Sequence, residues 1–286
     1  MANTKNLSSN LAYKKAEEFA KSHYENFPVI SIFIKKELRK HIAIIYWFAR
    51  TADDIADEGI LTSSERLIEL NKFEERLTQL LAGNFENEYE YALYLTIKNK
   101  KLDHEYFYKL IAAFKQDIEK SSWTTFDEIL NYCSNSANPV GRLILQLYGI
   151  DDKEAFYYSD KICTALQLTN FYQDVSVDLK KNRVYFPVDE IKNFGVSFKL
   201  FDLNEKNDNL KQLLTFSIER TESFYSEGEK LLGYLSGRLK YEIKWTIMGG
   251  REILNKLRIY DNNIVNLRPT LSKFDYFYLF IKSLLT

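Results

Sequence analysis

Residues 167–178 read Gln167-Leu168-Thr169-Asn170-Phe171-Tyr172-Gln173-Asp174-Val175-Ser176-Val177-Asp178. At 100° per residue, Gln167, Asn170, Asp174 and Asp178 fall within a stripe about 80° wide. Leu166, Phe171 and Val175 stand around it and should pack. A stripe of amide, amide, acid and acid on a mostly apolar helix is not an ordinary solvated surface. It is either a polar network or the wall of a site. Acids turned away from water are costly without partners, and metal with diphosphate would serve. The pattern predicts one long helix, opened by Asp151-Asp152 as a cap and reaching about residue 181.

A second acidic pair lies upstream, in Arg50-Thr51-Ala52-Asp53-Asp54-Ile55-Ala56-Asp57-Glu58. Asp53 and Asp57 are four residues apart and share a helix face. Their repulsion costs roughly 0.2–0.5 kcal/mol in an exposed helix. They also fall at a helix C-terminus, where the dipole disfavours anions. Bound cations relieve both problems. Mg²⁺ takes carboxylate oxygens together with waters and substrate phosphate oxygens. Taken alone, this pair fits a solvated acidic helix end as well as a metal site. After the second pair comes Lys180-Lys181-Asn182-Arg183-Val184-Tyr185-Phe186-Pro187. Lys181 and Arg183 suit diphosphate oxygens, Arg183 by its bidentate fork. Lys180 and Lys181 equally complement a helix end.

The rest of the chain reads as helix. Ten Gly and four Pro in 286 residues are too little punctuation for a strand-rich protein. The prolines, Pro28, Pro139, Pro187 and Pro269, stand where helices start or stop. In residues 34–57, Leu38, Ile42, Ile45 and Ala49 recur at helical spacing. Residues 42–49 are apolar nearly all round, which predicts a central helix closed by Gly59. Thr62-Ser63-Ser64-Glu65 opens a helix carrying Leu67, Leu70, Leu77 and Leu80. Asp103 caps another running to about residue 120. Residues 125–148 are helical with an interruption near Asn138-Pro139, and 203–235 and 241–260 form two more. Residues 274–285, rich in aromatics but interrupted by Asp275 and Lys282, are expected as a packed terminal helix. The expectation is a single all-α domain over residues 1–286.

Composition narrows the function. The chain is 45% hydrophobic and 28% charged, a globular balance, with net charge −1, so no nucleic-acid partner is suggested. Cys133 and Cys163 form no ligand cluster and are expected as buried free thiols of a cytoplasmic protein. The start MANTKNLSSN lacks an apolar signal core, and no run reaches the roughly 18 apolar residues of a bilayer span. The tail allows weak contact with a membrane surface. His23, His41 and His104 are scattered and read as structural or surface residues, not zinc ligands.

Two D-x-x-x-D motifs, the second within Q-L-x-N-x-x-x-D-x-x-x-D and followed by R-x-Y-x-P, resemble the squalene/phytoene synthase family. So does I-Y-x-F-A-R before the first motif. The resemblance has clear anchors from Tyr24 to Pro187 and runs more loosely to about Tyr260. It implies an all-α isoprenoid-synthase fold around a central cavity, with Mg²⁺ as cofactor and a prenyl diphosphate as substrate. By the same matching, Asp53, Asp57, Asn170, Asp174 and Asp178 would hold the metal. Arg50, Gln167, Arg183, Tyr185, Lys181 and Tyr132 would lie near the substrate. Phe48 and Phe171 are candidates for a cation-stabilising wall, and Ala137 and Gly141 for room around a long lipid.

Two segments resemble the hydroxysqualene synthases of bacterial hopanoid pathways: Asn26-Phe27-Pro28-Val29, and Tyr132-Cys133-Ser134-Asn135-Ser136-Ala137-Asn138-Pro139-Val140-Gly141-Arg142. That branch implies conversion of presqualene diphosphate and water to hydroxysqualene and diphosphate. Asn135 replaces a tyrosine of the family segment, which weakens the condensation of two farnesyl groups. Asn138 replaces a glycine and adds a polar group able to hold water. The alternatives are head-to-head condensation of farnesyl diphosphate and a catalytically silent assembly protein of the same fold. A chain-elongating prenyltransferase fits the second motif poorly. The sequence leaves the oligomeric state open.

Overall fold

The computed structural model describes residues 9–22, 34–196 and 208–285. Among these residues the regular structure is helical, apart from one isolated parallel bridge between Ser122 and Val184. The all-α expectation holds. The chain divides into two compact units, Met1–Glu119 with Pro139–Asp152, and Lys120–Asn138 with Lys153–Thr286.

The first unit is built on α2 (Lys36–Asp57), which packs against α1 (Ser9–Ser22), α3 (Ser63–Leu81), α4 (Glu88–Lys100) and α5 (Glu105–Glu119). Its all-round apolar stretch puts Ile42, Ala43, Ile44, Ile45 and Phe48 in the core with Leu93, Phe107, Leu110 and Ile111. Phe48 packs between Phe73, tilted at 4.9 Å, and Phe107, edge-on at 5.2 Å between ring centroids. It is therefore an ordinary core residue. Gly59 adopts φ 81° just past the helix end, one residue beyond the Glu58 cap. Thr62 and Glu65 form a reciprocal capping box, with Thr62 N donating to Glu65 Oε2 at 2.8 Å. Asp103 accepts from Glu105 N at 3.0 Å at the start of α5. The sequence reading did not anticipate α1 or α4. In α4, Tyr89, Tyr91, Leu93 and Tyr94 spread apolar surface round the helix and blur any single stripe.

In the second unit, α6 (Phe126–Ser136) is capped by Thr125, and Ala137 separates it from α7 (Asn138–Leu147). Most of α7 belongs to the first unit. The central element is α8 (Lys153–Gln173), packed against α6, α11 (Asp208–Gly228) and α12 (Gly237–Tyr260). Two glycines allow that packing. A Cβ on Gly250 would sit 2.0 Å from Tyr225 Oη, and one on Gly228 would sit 2.7 Å from Ile162 Cγ1. Tyr225 is fully buried and its hydroxyl pairs with that of Thr169 at 3.0 Å.

Several boundaries differ from expectation. The predicted single helix to residue 181 breaks at Asp174 (φ −97°, ψ 10°), giving α8, then α9 (Val175–Asp178) and a 3-10 turn at Leu179–Lys181. No Gly or Pro marks the break; it coincides with contacts of Gln173 and Asp174 to the loop at Arg268 and Pro269. The start of the expected 203–235 helix, the Asn26–Val29 segment and His23 lie outside the described residues. After the short α10 (Val188–Asn193), α11 runs into a 3-10 turn at Glu229–Gly233, and α12 starts at Gly237 rather than Tyr241. Of the two thiols only Cys133 is fully buried, and burial pushes its pKa up to about 12; Cys163 is half-buried. The tail forms α13 (Lys273–Leu285), which packs on α12 by one face only, with five large apolar side chains left exposed. Among the described residues no helix is long and apolar enough to cross a membrane.

Candidate active site

In the first unit the acidic motif occupies the last turns of α2, as the spacing predicts. One guanidinium gathers it. Arg50 Nη1 lies 2.9 Å from Asp53 Oδ2, and Nη2 lies 2.5 Å from Glu58 Oε1. Arg50 Nε is 2.7 Å from Asp54 Oδ1, an ion pair outside hydrogen-bond angles. Partial burial opposes the charge on Arg50, but Asp53, Asp54 and Glu58 hold its pKa above the ordinary arginine value. The exposed carbonyls at this end are covered by Arg66, which donates to Ile55 O at 3.0 Å, Gly59 O at 3.1 Å and Leu61 O at 3.1 Å. Asp53 and Asp57 remain half-buried, one turn apart on α2.

In the second unit α8 separates its faces as the sequence requires. Leu168, Thr169, Phe171, Tyr172 and Gln173 are buried, whereas Gln167, Asn170 and Asp174 are half-exposed along one stripe. Asp178 lies past the break, on α9, so the stripe does not run along one continuous helix. The break is fixed by a loop before α13. Buried Gln173 donates from its amide to Pro269 O at 2.6 Å, and neighbouring Arg268 pairs with both Asp174 oxygens, Nη2 reaching Oδ2 at 3.4 Å.

The chain after α9 turns through Asn182 at φ 56°, with Arg183 N bonding Asp178 O at 2.9 Å. Val184 N then meets Ser121 O at 3.0 Å and Val188 N meets Trp123 O at 2.9 Å. This pairing carries Arg183 and Tyr185 back over α8. A small cleft there is lined by Phe171, Val175, Asp178, Arg183 and Tyr185. The structure thus brings Asp178, Arg183 and Tyr185 together with Phe171, the expected wall residue. Tyr185 stacks on Phe171 at 3.7 Å and on Trp123 at 4.6 Å. Tyr132 completes the group, edge-on to Trp123 at 5.5 Å and tilted to Phe171 at 5.9 Å. Lys181 is exposed. Asn138 accepts from the Thr164 hydroxyl at 3.1 Å, which fixes its amide against α8.

Sequence reasoning missed two of these residues. Arg268 lies 94 positions from Asp174, and its only local signal is the adjoining Pro269. Trp123 precedes α6 and has no periodic context. Among the described residues no group of three His, Cys, Asp or Glu side chains forms a ready-made metal cage. The donor set is carboxylates in pairs, which suits Mg²⁺, an ion normally held by one or two carboxylates with substrate phosphates and waters.

The squalene/phytoene synthase family matches residues 20–275. A hydroxysqualene synthase of Sinorhizobium fredii is 31% identical over 241 residues, covering 83% of this chain and 80% of its own length. A chloroplastic phytoene synthase of an Oncidium hybrid cultivar is 28% identical over 270 residues, 92% of this chain, which spans 65% of that longer protein. Among solved structures, squalene synthase HpnC from Alicyclobacillus acidocaldarius superposes with a TM-score of 0.83 at 32% identity, covering 88% of this chain and 95% of its own. The helical architecture is that of the isoprenoid synthases. Paired carboxylates with an arginine-flanked aromatic cleft, and a match along most of the chain, lead to one conclusion: this protein belongs to the squalene/phytoene synthase family, a family of isoprenoid synthases.

Proposed function

We propose that the protein is a magnesium-dependent hydroxysqualene synthase, converting presqualene diphosphate and water to hydroxysqualene and diphosphate. The observation that carries this reading is the 31% identity to a hydroxysqualene synthase over most of both chains. The proposal treats residues 1–286 as one catalytic domain, with Asp53, Asp57, Asn170, Asp174 and Asp178 as metal ligands. Bound Mg²⁺ supplies Lewis-acid stabilisation of the leaving diphosphate.

The protein's own groups do the rest. As the carbon–oxygen bond breaks, negative charge gathers on diphosphate, and Arg183, Arg268 and Lys181 stabilise it more than the ground state. One well-placed donor is worth about 3 kcal/mol. Gln167 and Arg50 position the acids and the substrate. The carbocation left behind needs a dry wall that does not react with it. The aromatic group of Tyr132, Phe171 and Tyr185 is the candidate for that wall, a ring face turned to the cation being worth roughly 1–2 kcal/mol of cation–π attraction. Asn138, its carbonyl held by Thr164, is the group assigned to place the quenching water.

Condensation of two farnesyl diphosphates is the second reading, favoured by the solved relative described as a squalene synthase at 32% identity. Product analysis separates the two. Purified protein with Mg²⁺ is expected to form hydroxysqualene from presqualene diphosphate and to stop when EDTA is added. Consumption of farnesyl diphosphate alone would overturn the assignment. Failure to turn over either substrate would favour a silent assembly protein.

A further inference from the structure

Helix α13 presents apolar side chains in two opposite directions. Tyr276, Leu279, Phe280 and Ser283 turn inward, and Trp245 of α12 meets Tyr276 and Phe280 edge-on at 6.2 and 6.1 Å. On the outward arc, about 120° wide at 100° per residue, Phe274 is 76% exposed, Phe277 64%, Tyr278 54%, Ile281 39% and Leu284 44%. A patch of this kind on a soluble surface marks an interaction site.

Its charges are one-sided. The helix has a single carboxylate, Asp275, and that turns to Lys256 Nζ and Ser272 N, 2.7 Å each. Exposed Lys273 and Lys282 stand at the two edges of the arc. Beside Tyr278 opens a cleft of about 320 Å³ lined by Lys244, Met248 and Lys282. Glu229 and Glu252 also line it, but Glu229 is tied to Arg251 at 2.9 Å.

We propose that this face docks on the surface of an anionic lipid bilayer. Aromatic side chains sit favourably at headgroup depth, and flanking lysines meet lipid phosphates. The helix lies on the surface and does not span it, since no described helix is long and apolar enough to cross. A second copy of the chain fits the face less well. The five side chains expose about 500 Å² if a whole ring side chain counts about 200 Å², against roughly 800 Å² per partner for a stable interface. Twofold pairing would also set like charge on like charge, Lys273 against Lys273 if the helices run parallel and Lys273 against Lys282 if they run antiparallel.

Co-sedimentation with phosphatidylcholine/phosphatidylglycerol vesicles, without substrate, tests this separately from the proposed reaction. The wild-type chain is expected to bind these vesicles, and pure phosphatidylcholine at least several-fold more weakly. Phe274→Ser with Phe277→Ser is expected to lower partitioning at least tenfold with unchanged circular dichroism, because both rings are already in solvent. Ile281→Ser alone serves if the double variant misfolds. Lys273→Glu with Lys282→Glu is expected to remove the preference for anionic vesicles. Wild-type protein that stays in the supernatant, or a serine variant that binds as well as wild type, overturns the proposal. So does a wild-type dimer that the serine variant converts to monomer without any vesicle binding.

Discussion

Arg50 spans Asp53, Asp54 and Glu58, so part of the electrostatic problem posed by that acidic helix end has an internal answer. A metal role for the pair therefore makes a sharper demand: removing one carboxylate must cost chemistry and leave the fold alone. Asp53→Ala and Asp174→Ala are each expected to cut turnover at least about a hundredfold, the scale of losing one charge-stabilising group, with helicity unchanged. Steady-state kinetics beside far-ultraviolet circular dichroism checks this, and near-normal rates in both variants would sink the metal assignment. Arg268→Ala is expected to lower turnover by about the same factor, since Arg268 pairs with Asp174 through both carboxylate oxygens. The two aspartate motifs and Arg183 were legible because their spacing is local. Arg268 was not, because nothing near it in sequence records that its partner is Asp174.

At the level of elements, caps and periodic stripes were readable and close approaches were not. Thr62, Thr125 and Asp103 announce helix starts because a capping side chain bonds within three residues of itself. The break between α8 and α9 has no such mark. It depends on Gln173 bonding Pro269, 96 positions away. Gly250 is similar: mid-helix glycine ordinarily costs about 1 kcal/mol relative to alanine, yet here it admits Tyr225. Gly250→Ala would place a Cβ 2.0 Å from Tyr225 Oη and disturb its contact with Thr169. Overpacking of this kind costs about 1–3 kcal/mol, so a net loss of up to about 2 kcal/mol is expected after the helix gain, read as a lower melting temperature. A variant more stable than wild type would mean that α11 and α12 separate easily.

Over the whole molecule, stability should respond to acid through His41. It is buried in the first unit, with Nδ1 2.9 Å from Thr96 Oγ1, beside Tyr13. Burial, then Lys100 and Lys40, lowers its pKa from 6.5 to about 4. The folded-state value lies below the unfolded one, so the fold favours neutral imidazole. Above pH 6.5 nothing is lost. As pH falls from 6.5 towards 4, the unfolded chain takes up a proton that the folded chain refuses, and stability drops, by about 2 kcal/mol once screening is allowed for. Urea unfolding at pH 7.0, 5.5 and 4.5 checks this, and His41→Gln should flatten the decline. The helical class, the central place of α2, and two carboxylate pairs with basic residues after the second could be read from the amino-acid order alone. Each of these follows from periodicity or from neighbours within one or two turns. Long-range packing set the rest: Arg268 meets Asp174, α8 stops at Gln173, Phe48 lies in the core, and α13 leaves Phe274, Phe277 and Tyr278 in solvent. Those outcomes rest on contacts between residues far apart in the chain, and local spacing carries no record of them.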